Sequence, residues 1–238
     1  MLTLLVEVNM QEFDKKIISV ISQDPEEILI HLNEFKELML YYKSAIREVR
    51  TKLEVLNDDI SIKNQRNPIQ FVKSRLKKPS SIAQKLRRRG LEISTKSIRE
   101  NLTDVAGIRV VCSFVDDIYD IAEMLELQDD IKIIEVKDYI KNPKPNGYSS
   151  LHLIVEIPIY LSQKKECIKL ELQIRTIAMD FWASLEHQMK YKKTMKEAPE
   201  IIKELKECAD KIYQIDEHML KIRKKIEKLD ISEDNTYF

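Results

Sequence analysis

Two long stretches of heptad-like apolar spacing, one near each end of the chain, restrict the folds open to it. Apolar residues recur at alternating steps of four and three over 28–56, and the same spacing returns over 201–229. The tripeptides Asp24-Pro25-Glu26 and Ala198-Pro199-Glu200, which precede the two stretches, are typical of helix starts. The pattern predicts two helices with narrow apolar seams. Each seam can pack within its own chain or form a subunit interface, and the sequence favours neither.

Between these helices, strand-like and helix-like segments alternate. We predict strands at 108–114, 132–137, 150–157 and 168–174, and helices at about 116–127 and 176–192. This order predicts an α/β (α+β) fold with a mixed β-sheet flanked by helices. We divide the chain into an N-terminal helical extension (1–60), a central domain (61–195) and a C-terminal heptad-patterned helix (196–238).

Composition excludes several classes of protein. The 238 residues include three Gly, from which neither Gly-rich phosphate-binding loop, GxxxxGK[ST] or GxGxxG, can be written. The three Cys are widely spaced and the four His form no HxxxH or HExxH pair, which argues against a zinc site. No apolar stretch reaches the ~18 residues of a membrane span. We expect a cytoplasmic protein, without a membrane partner, in which side chains hold any bound phosphate.

One segment concentrates positive charge. The whole chain balances 40 Lys and Arg against 40 Asp and Glu, yet residues 60–91 hold ten Lys or Arg and no acid. Within it, Pro79 begins a predicted helix on which Ser81, Lys85 and Arg88 share one face. Such a local field predicts binding of phosphates or of nucleic acid, and the segment alone does not distinguish them.

Two carboxylates are candidates for catalysis. Glu171 shares one face of the last predicted strand with Gln173 and Arg175, although an ordinary half-exposed strand shows the same alternation. Asp104 precedes the first predicted strand, near Gly107, which permits close backbone approach. Two carboxylates beside phosphate-binding cations can hold Mg²⁺, and one of them can accept a proton from an attacking hydroxyl.

A second polar group surrounds Asn146-Gly147, a dipeptide that is typical of a β-hairpin connection. Lys144, Tyr148 and His152 place a cation, an aromatic face and a hydrogen-bonding ring around this turn. A nucleotide base can stack on such a tyrosine while the lysine contacts a phosphate.

Five motifs within residues 71–192, in their order and spacing, resemble the synthetase domain of the RelA/SpoT homologues. They are Arg75-Leu-Lys77 with Pro79-Ser-Ser81-Ile and Lys85, Asp104-Val-Ala-Gly-Ile-Arg109, the stretch from Tyr139 to His152, Glu171-Leu-Gln-Ile-Arg-Thr176, and Trp182-Ala-Ser-Leu-Glu-His187 with Tyr191-Lys192. The chain's length and end helices are similar to those of the stand-alone members, the small alarmone synthetases.

The resemblance implies a nucleotidyltransferase-like fold and transfer of the β,γ-pyrophosphate of ATP to the ribose 3′-hydroxyl of GTP or GDP, with release of AMP. It implies Mg²⁺ held by Asp104 and Glu171, with Glu171 as metal ligand or base. The positions that match ATP contacts are Arg75, Lys77, Ser81, Lys85, Arg88 and Arg109, of which Arg75 and Arg109 enclose the adenine. The positions that match GTP or GDP contacts are Lys144, Tyr148, His152 and Gln173. A homotetramer built through the terminal helices is also implied.

Two other hypotheses belong to different classes of protein. A non-catalytic module of the same shape would bind single-stranded RNA through the basic segment, and a scaffold would use only the end helices. The two acids favour the enzyme, because a groove that only binds RNA has no need of carboxylates. The scaffold leaves the middle of the chain without a role.

Overall fold

The computed structural model describes residues 25–192 and 199–234, in which a five-stranded sheet is flanked by helices. The helices are α1 (Pro25–Asn64), α2 (Pro79–Arg88), α3 (Thr95–Asn101), α4 (Val115–Glu126), α5 (Ile177–Lys192) and α6 (Pro199–Asp234). The strands are β1 (Ile69–Leu76), β2 (Ala106–Cys112), β3 (Lys132–Asp138), β4 (Leu151–Tyr160) and β5 (Lys165–Thr176). This mixed sheet with helices is the predicted fold class. The predicted extension before residue 25 and the predicted boundary at 195–196 lie outside the described residues.

The order of the strands places several of the predicted site residues on adjacent strands. The sheet runs β1-β2-β5-β4-β3, with β2 and β5 parallel and the other pairs antiparallel. Gly107 pairs with Glu171, Arg109 pairs with Gln173, and Gln173 also pairs with His152. Because paired residues project from the same side of a sheet, these polar side chains share one face.

The opposite face of the central strands is apolar and belongs to the core. Leu170, Leu172 and Ile174 are fully buried there, as the alternation on β5 predicts. The core also contains Val49 and Leu53 of α1, the helix that contacts β1, β2, β4 and β5. Burial of this face fixes the register of β5, because a slip of one residue would bring its polar side chains into the core.

The two predicted seams differ in their surroundings. On α1 the seam is buried from Tyr42 to Leu53, so this part packs within its own chain. On α6 the second half of the seam, at Ile215, Met219, Ile222 and Ile226, is exposed in the described part of the chain. None of the described helices is long and apolar enough to cross a membrane.

Helix α6 packs beside the connection between β3 and β4. This connection joins antiparallel neighbours, as predicted, but it spans residues 139–150 and is longer than a two-residue hairpin turn. Gly147 has a φ of 88°, and a Cβ there would collide with the Cβ of Ala209 and crowd the Cα of Lys206 on α6. Glycine is therefore required at this position by both backbone conformation and packing.

A buried acid on α6 gives a test of this packing through pH. Burial raises the pKa of Asp216, which is 7% exposed and accepts a hydrogen bond from the Thr176 hydroxyl at 2.6 Å. A folded-state pKa above the unfolded value means that ionisation opposes folding, with a cost that appears as pH rises through the folded-state pKa. We expect Asp216→Asn to raise Tm at pH 8 and to change it little at pH 4, as measured by thermal denaturation. Asp210→Asn, at the surface of α6, is the matched control. A lower Tm than wild type at pH 8 would contradict this account.

Candidate active site

A cavity of about 330 Å³ lies on the polar face of the sheet. Its lining brings together both candidate carboxylates and two of the predicted ATP-binding arginines. The lining residues are Lys73, Ser74, Arg75, Asp104, Gly107, Ile108, Arg109, Glu171 and Gln173. One concave polar site is therefore formed by residues of β1, β2 and β5 and of the segment that precedes β2.

Asp104 is held by two lysines of the basic segment. Its Oδ2 lies 2.6 Å from the Nζ of Lys77 and 2.7 Å from the Nζ of Lys85. Burial raises the pKa of Asp104, but the hydrogen bonds from Lys77 and Lys85 outweigh it, so the pKa lies below its usual value. The carboxylate is ionised at neutral pH. Its other oxygen, Oδ1, is buried and has no hydrogen-bond partner within the described chain.

Glu171 is oriented by a hydrogen bond to each of its oxygens. Oε1 lies 3.2 Å from Nδ1 of His152, and Oε2 accepts from Nε2 of Gln173 at 3.0 Å. Burial raises the pKa of Glu171. The hydrogen bond and charge of His152 and the hydrogen bond from Gln173 together lower it by more, so the net shift of this pKa is downward. The charge of Asp104 opposes this shift, which is expected of two acids facing one cavity.

The predicted GTP- or GDP-binding residues lie next to Glu171. Nε2 of His152 is 2.9 Å from the hydroxyl of Tyr148, and the Nζ of Lys144 lies 4.7 Å from the centre of the Tyr148 ring. Burial raises the pKa of Tyr148, so its hydroxyl stays protonated at neutral pH. Asn146 donates to Glu186 on α5 at 2.9 Å, which fixes the turn that carries these groups. Of the four predicted residues, His152 and Gln173 therefore contact Glu171 directly, and Tyr148 and Lys144 follow in a chain of contacts through His152.

The predicted ATP-binding residues are brought together in part. Arg75 and Arg109 line the cavity, and Lys77 and Lys85 contact the acid that lines it. Ser81 and Arg88 lie on α2 outside this lining, and Arg88 is exposed. Their predicted role depends on phosphates that extend from the cavity toward α2.

Two residues beside the cavity, Asp180 and Arg175, were not predicted as site residues from the sequence. Arg175 is 1% exposed and donates from Nη2 to Oε1 of Gln173 at 2.9 Å. Asp180 lies on α5, with its Oδ1 3.3 Å from Nη1 of Arg109. The sequence pattern could have indicated Arg175, since it shares the polar face of β5 with Glu171. No sequence signal separates Asp180 from an ordinary acid in the first turn of a helix.

Comparison with known proteins places this arrangement in a family. A model described as "Region found in RelA / SpoT proteins" matches residues 74–196 of the chain. The chain belongs to the RelA/SpoT family. The matched region includes every site residue predicted from the motifs. The recognition of RelA/SpoT-like motifs in the sequence is thereby confirmed.

Individual members of the RelA/SpoT family are similar over most of the chain. GTP pyrophosphokinase YwaC of Bacillus subtilis (strain 168) is 45% identical over 196 residues, which are 82% of this chain and 93% of that protein. The crystal structure of small alarmone synthetase 2 from B. subtilis matches with a TM-score of 0.73 and 44% identity, over 81% of this chain and 99% of that one. Small alarmone synthetase 1 from B. subtilis, bound to its product pppGpp, matches with a TM-score of 0.73 and 32% identity, over 81% and 97% of the two chains. These matches confirm the fold.

Proposed function

We propose that the chain is a GTP pyrophosphokinase that transfers the β,γ-pyrophosphate of ATP to the ribose 3′-hydroxyl of GTP or GDP. The observation that carries the proposal is one cavity shared by Asp104, Glu171, Arg75 and Arg109, in a RelA/SpoT family member similar to a GTP pyrophosphokinase over most of its length. The products are AMP and pppGpp or ppGpp.

The donor side of the site binds ATP. Arg75 and Arg109 project from adjacent strands on the same face, where two guanidinium planes can stack on the adenine ring. Lys77 and Lys85 bind the phosphates, and Ser81 and Arg88 continue this surface along α2. The phosphates compete with Asp104 for the two lysines, so ATP binding frees this carboxylate.

The residues present fit a Mg²⁺ ion. Mg²⁺ is usually held by one or two carboxylates together with substrate phosphates, and it retains several waters. Asp104 supplies an unpartnered buried oxygen, Oδ1, and Glu171 supplies a second carboxylate on the same cavity. When bound, the ion neutralises charge on the phosphate oxygens during transfer.

The acceptor side binds the guanine nucleotide and removes its proton. Tyr148 stacks on the base, and Lys144 approaches its phosphates. His152 and Gln173 hold the two oxygens of Glu171. The 3′-oxygen attacks the β-phosphorus of ATP in line with the bridging oxygen between the α- and β-phosphorus. A new P–O bond forms, AMP departs with the bridging oxygen, and Glu171 accepts the hydroxyl proton.

Assembly and location are proposed together with the function. The exposed seam of α6 from Ile215 to Ile226 supports assembly of several copies through the terminal helices, and we propose a homotetramer in the cytoplasm. We keep the division into an extension (1–60), a synthetase domain (61–195) and a C-terminal helix (196–238) as part of the proposal. Binding of single-stranded RNA to the exposed cations of α2 is the alternative.

The test is a product assay. We expect incubation with ATP, Mg²⁺ and either GTP or GDP to release AMP and an equal amount of pppGpp or ppGpp, resolved by anion exchange. Omission of the guanine nucleotide, chelation of Mg²⁺, or replacement of ATP by its α,β-methylene analogue AMPCPP should each abolish AMP release. Salt-dependent RNA binding without AMP release would contradict the enzyme and favour the alternative.

A further inference from the structure

Asp180 lies between the two sides of the proposed site. It occupies the first turn of α5, which begins directly after β5. The Thr176 hydroxyl accepts the Met179 amide at 3.1 Å and so caps this turn, while the same hydroxyl donates to Asp216. A capped helix that follows its strand without a linker holds the Asp180 carboxylate in a fixed position.

Two guanidinium groups face one oxygen of Asp180. Its Oδ1 lies 3.3 Å from Nη1 of Arg109 on β2 and 3.6 Å from Nη1 of Arg175 on β5. This oxygen is buried and has no hydrogen bond within the described chain, so its contacts are between charges. The two guanidinium charges repel each other, and the negative carboxylate between them offsets this repulsion.

Arg175 extends this contact to the acceptor side. It donates to Oε1 of Gln173, so the amide nitrogen of Gln173 is directed to Oε2 of Glu171. Its guanidinium also lies 5.7 Å from the centre of the Tyr148 ring. At 1% exposure Arg175 is shielded from water, and burial lowers its pKa, so the charge of Asp180 and the hydrogen bond to Gln173 offset part of the cost of burying it.

We propose that Asp180 is a positioning residue that couples the ATP side of the site, through Arg109, to the acceptor side, through Arg175. The division into two sides rests on the proposed function. Because one carboxylate holds both arginines, a shift of either side is transmitted to the other. Asp180 is not among the residues that line the cavity, so in this proposal it acts through these two cations.

The first test replaces Asp180 by Asn, which keeps the shape and removes the charge. We expect KM for ATP to rise about tenfold and kcat to fall about tenfold, as for one lost charge-assisted contact on each side. Affinity for AMPCPP, measured by calorimetry, should also fall about tenfold, a readout that does not need turnover. Asp180→Glu keeps the charge and should recover most of these losses. Unchanged AMPCPP affinity and kinetics in Asp180→Asn would overturn the inference.

Double-mutant cycles separate coupling from a general structural effect. In an Arg109→Gln background, Asp180→Asn should no longer change KM for ATP, and its effect on kcat should be smaller than in the wild type because the two arginines share one carboxylate. In an Arg175→Gln background the effect on kcat should disappear. If the effects of Asp180→Asn on KM and kcat simply add to those of the arginine substitution in both backgrounds, the inference is overturned.

A matched control is Asp116→Asn on α4. Asp116 also lies in a first turn and binds an arginine, Arg223, at 3.2 and 2.5 Å, away from the cavity. We expect this variant to lower Tm and leave KM and kcat unchanged. Absence of AMP release from the wild-type protein would contradict the proposed function. The coupling through Arg109 would then still be tested by comparing AMPCPP affinity in the wild type and in Asp180→Asn.

Discussion

Replacing Glu171 by Gln should lower kcat by roughly 10²–10⁴-fold, the usual contribution of a general base. The amide keeps the size and shape of the side chain. Its oxygen can still accept from Gln173, and its NH2 group can donate to the ring nitrogen of His152. It cannot take the proton of the 3′-hydroxyl, and it carries no charge toward the metal. In the absence of Mg²⁺, affinity for AMPCPP should stay within a few-fold of wild type, because the adenine and phosphate contacts come from other residues.

The measurement combines AMP release at saturating substrates with calorimetric binding of AMPCPP. Glu166→Gln is the matched control, because Glu166 lies on the same strand but pairs with Arg99 at 2.6 Å, away from the cavity. That variant should keep nearly full activity. A loss of less than about tenfold in Glu171→Gln, or roughly 1.4 kcal/mol of barrier, would remove Glu171 from the role of base.

The polar face of β5 shows what the sequence was able to predict. Alternation of Leu170 and Leu172 with Glu171 and Gln173 predicted both the buried face and the site face, because side chains alternate strictly along a strand. The same alternation does not predict which strand pairs with β5. The pairing of Gly107 with Glu171, which puts β2 next to the candidate base, became visible only in the structure.

Strand β1 was not predicted, for a related reason. Lys73 and Arg75 lie on its site face and Val72 and Leu76 alternate with them, but the surrounding cations gave the segment the appearance of a solvated basic stretch. Lysine is depleted in strands relative to β-branched and aromatic residues, so local propensity did not favour a strand in this segment. Local rules fail here at residues that line the candidate site, where such failures are expected.

The pairing of Asp104 with Lys77 and Lys85 also could not be predicted from the sequence. Each of the three residues was a candidate, but in separate roles as metal ligand and phosphate contacts. Their separation in the sequence carries no information about the 2.6 and 2.7 Å contacts that join them. The consequence, under the proposed function, is that Asp104 and the substrate phosphates compete for the two lysines, so that phosphate binding frees Asp104 for a metal ion.

This competition sets the expected result for Asp104→Asn. Loss of the carboxylate should lower kcat/KM at least about 100-fold at ordinary Mg²⁺ concentrations, because a neutral amide is a weaker ligand for a hard cation. The same change releases Lys77 and Lys85 from their partner. In the presence of a chelator, AMPCPP should therefore bind at least as tightly as to wild type, although turnover is lost.

Calorimetry of AMPCPP with and without Mg²⁺ distinguishes these effects. In the wild type, Mg²⁺ should strengthen AMPCPP binding, whereas in Asp104→Asn this dependence should be weak. Asp130→Asn is the matched control, since Asp130 accepts from Lys52 at 2.8 Å on the surface and should change neither binding nor turnover. Weaker AMPCPP binding in chelator together with an unaltered Mg²⁺ dependence would show that Asp104 serves only to hold the two lysines, because a metal ligand cannot be neutralised without changing the response to the metal.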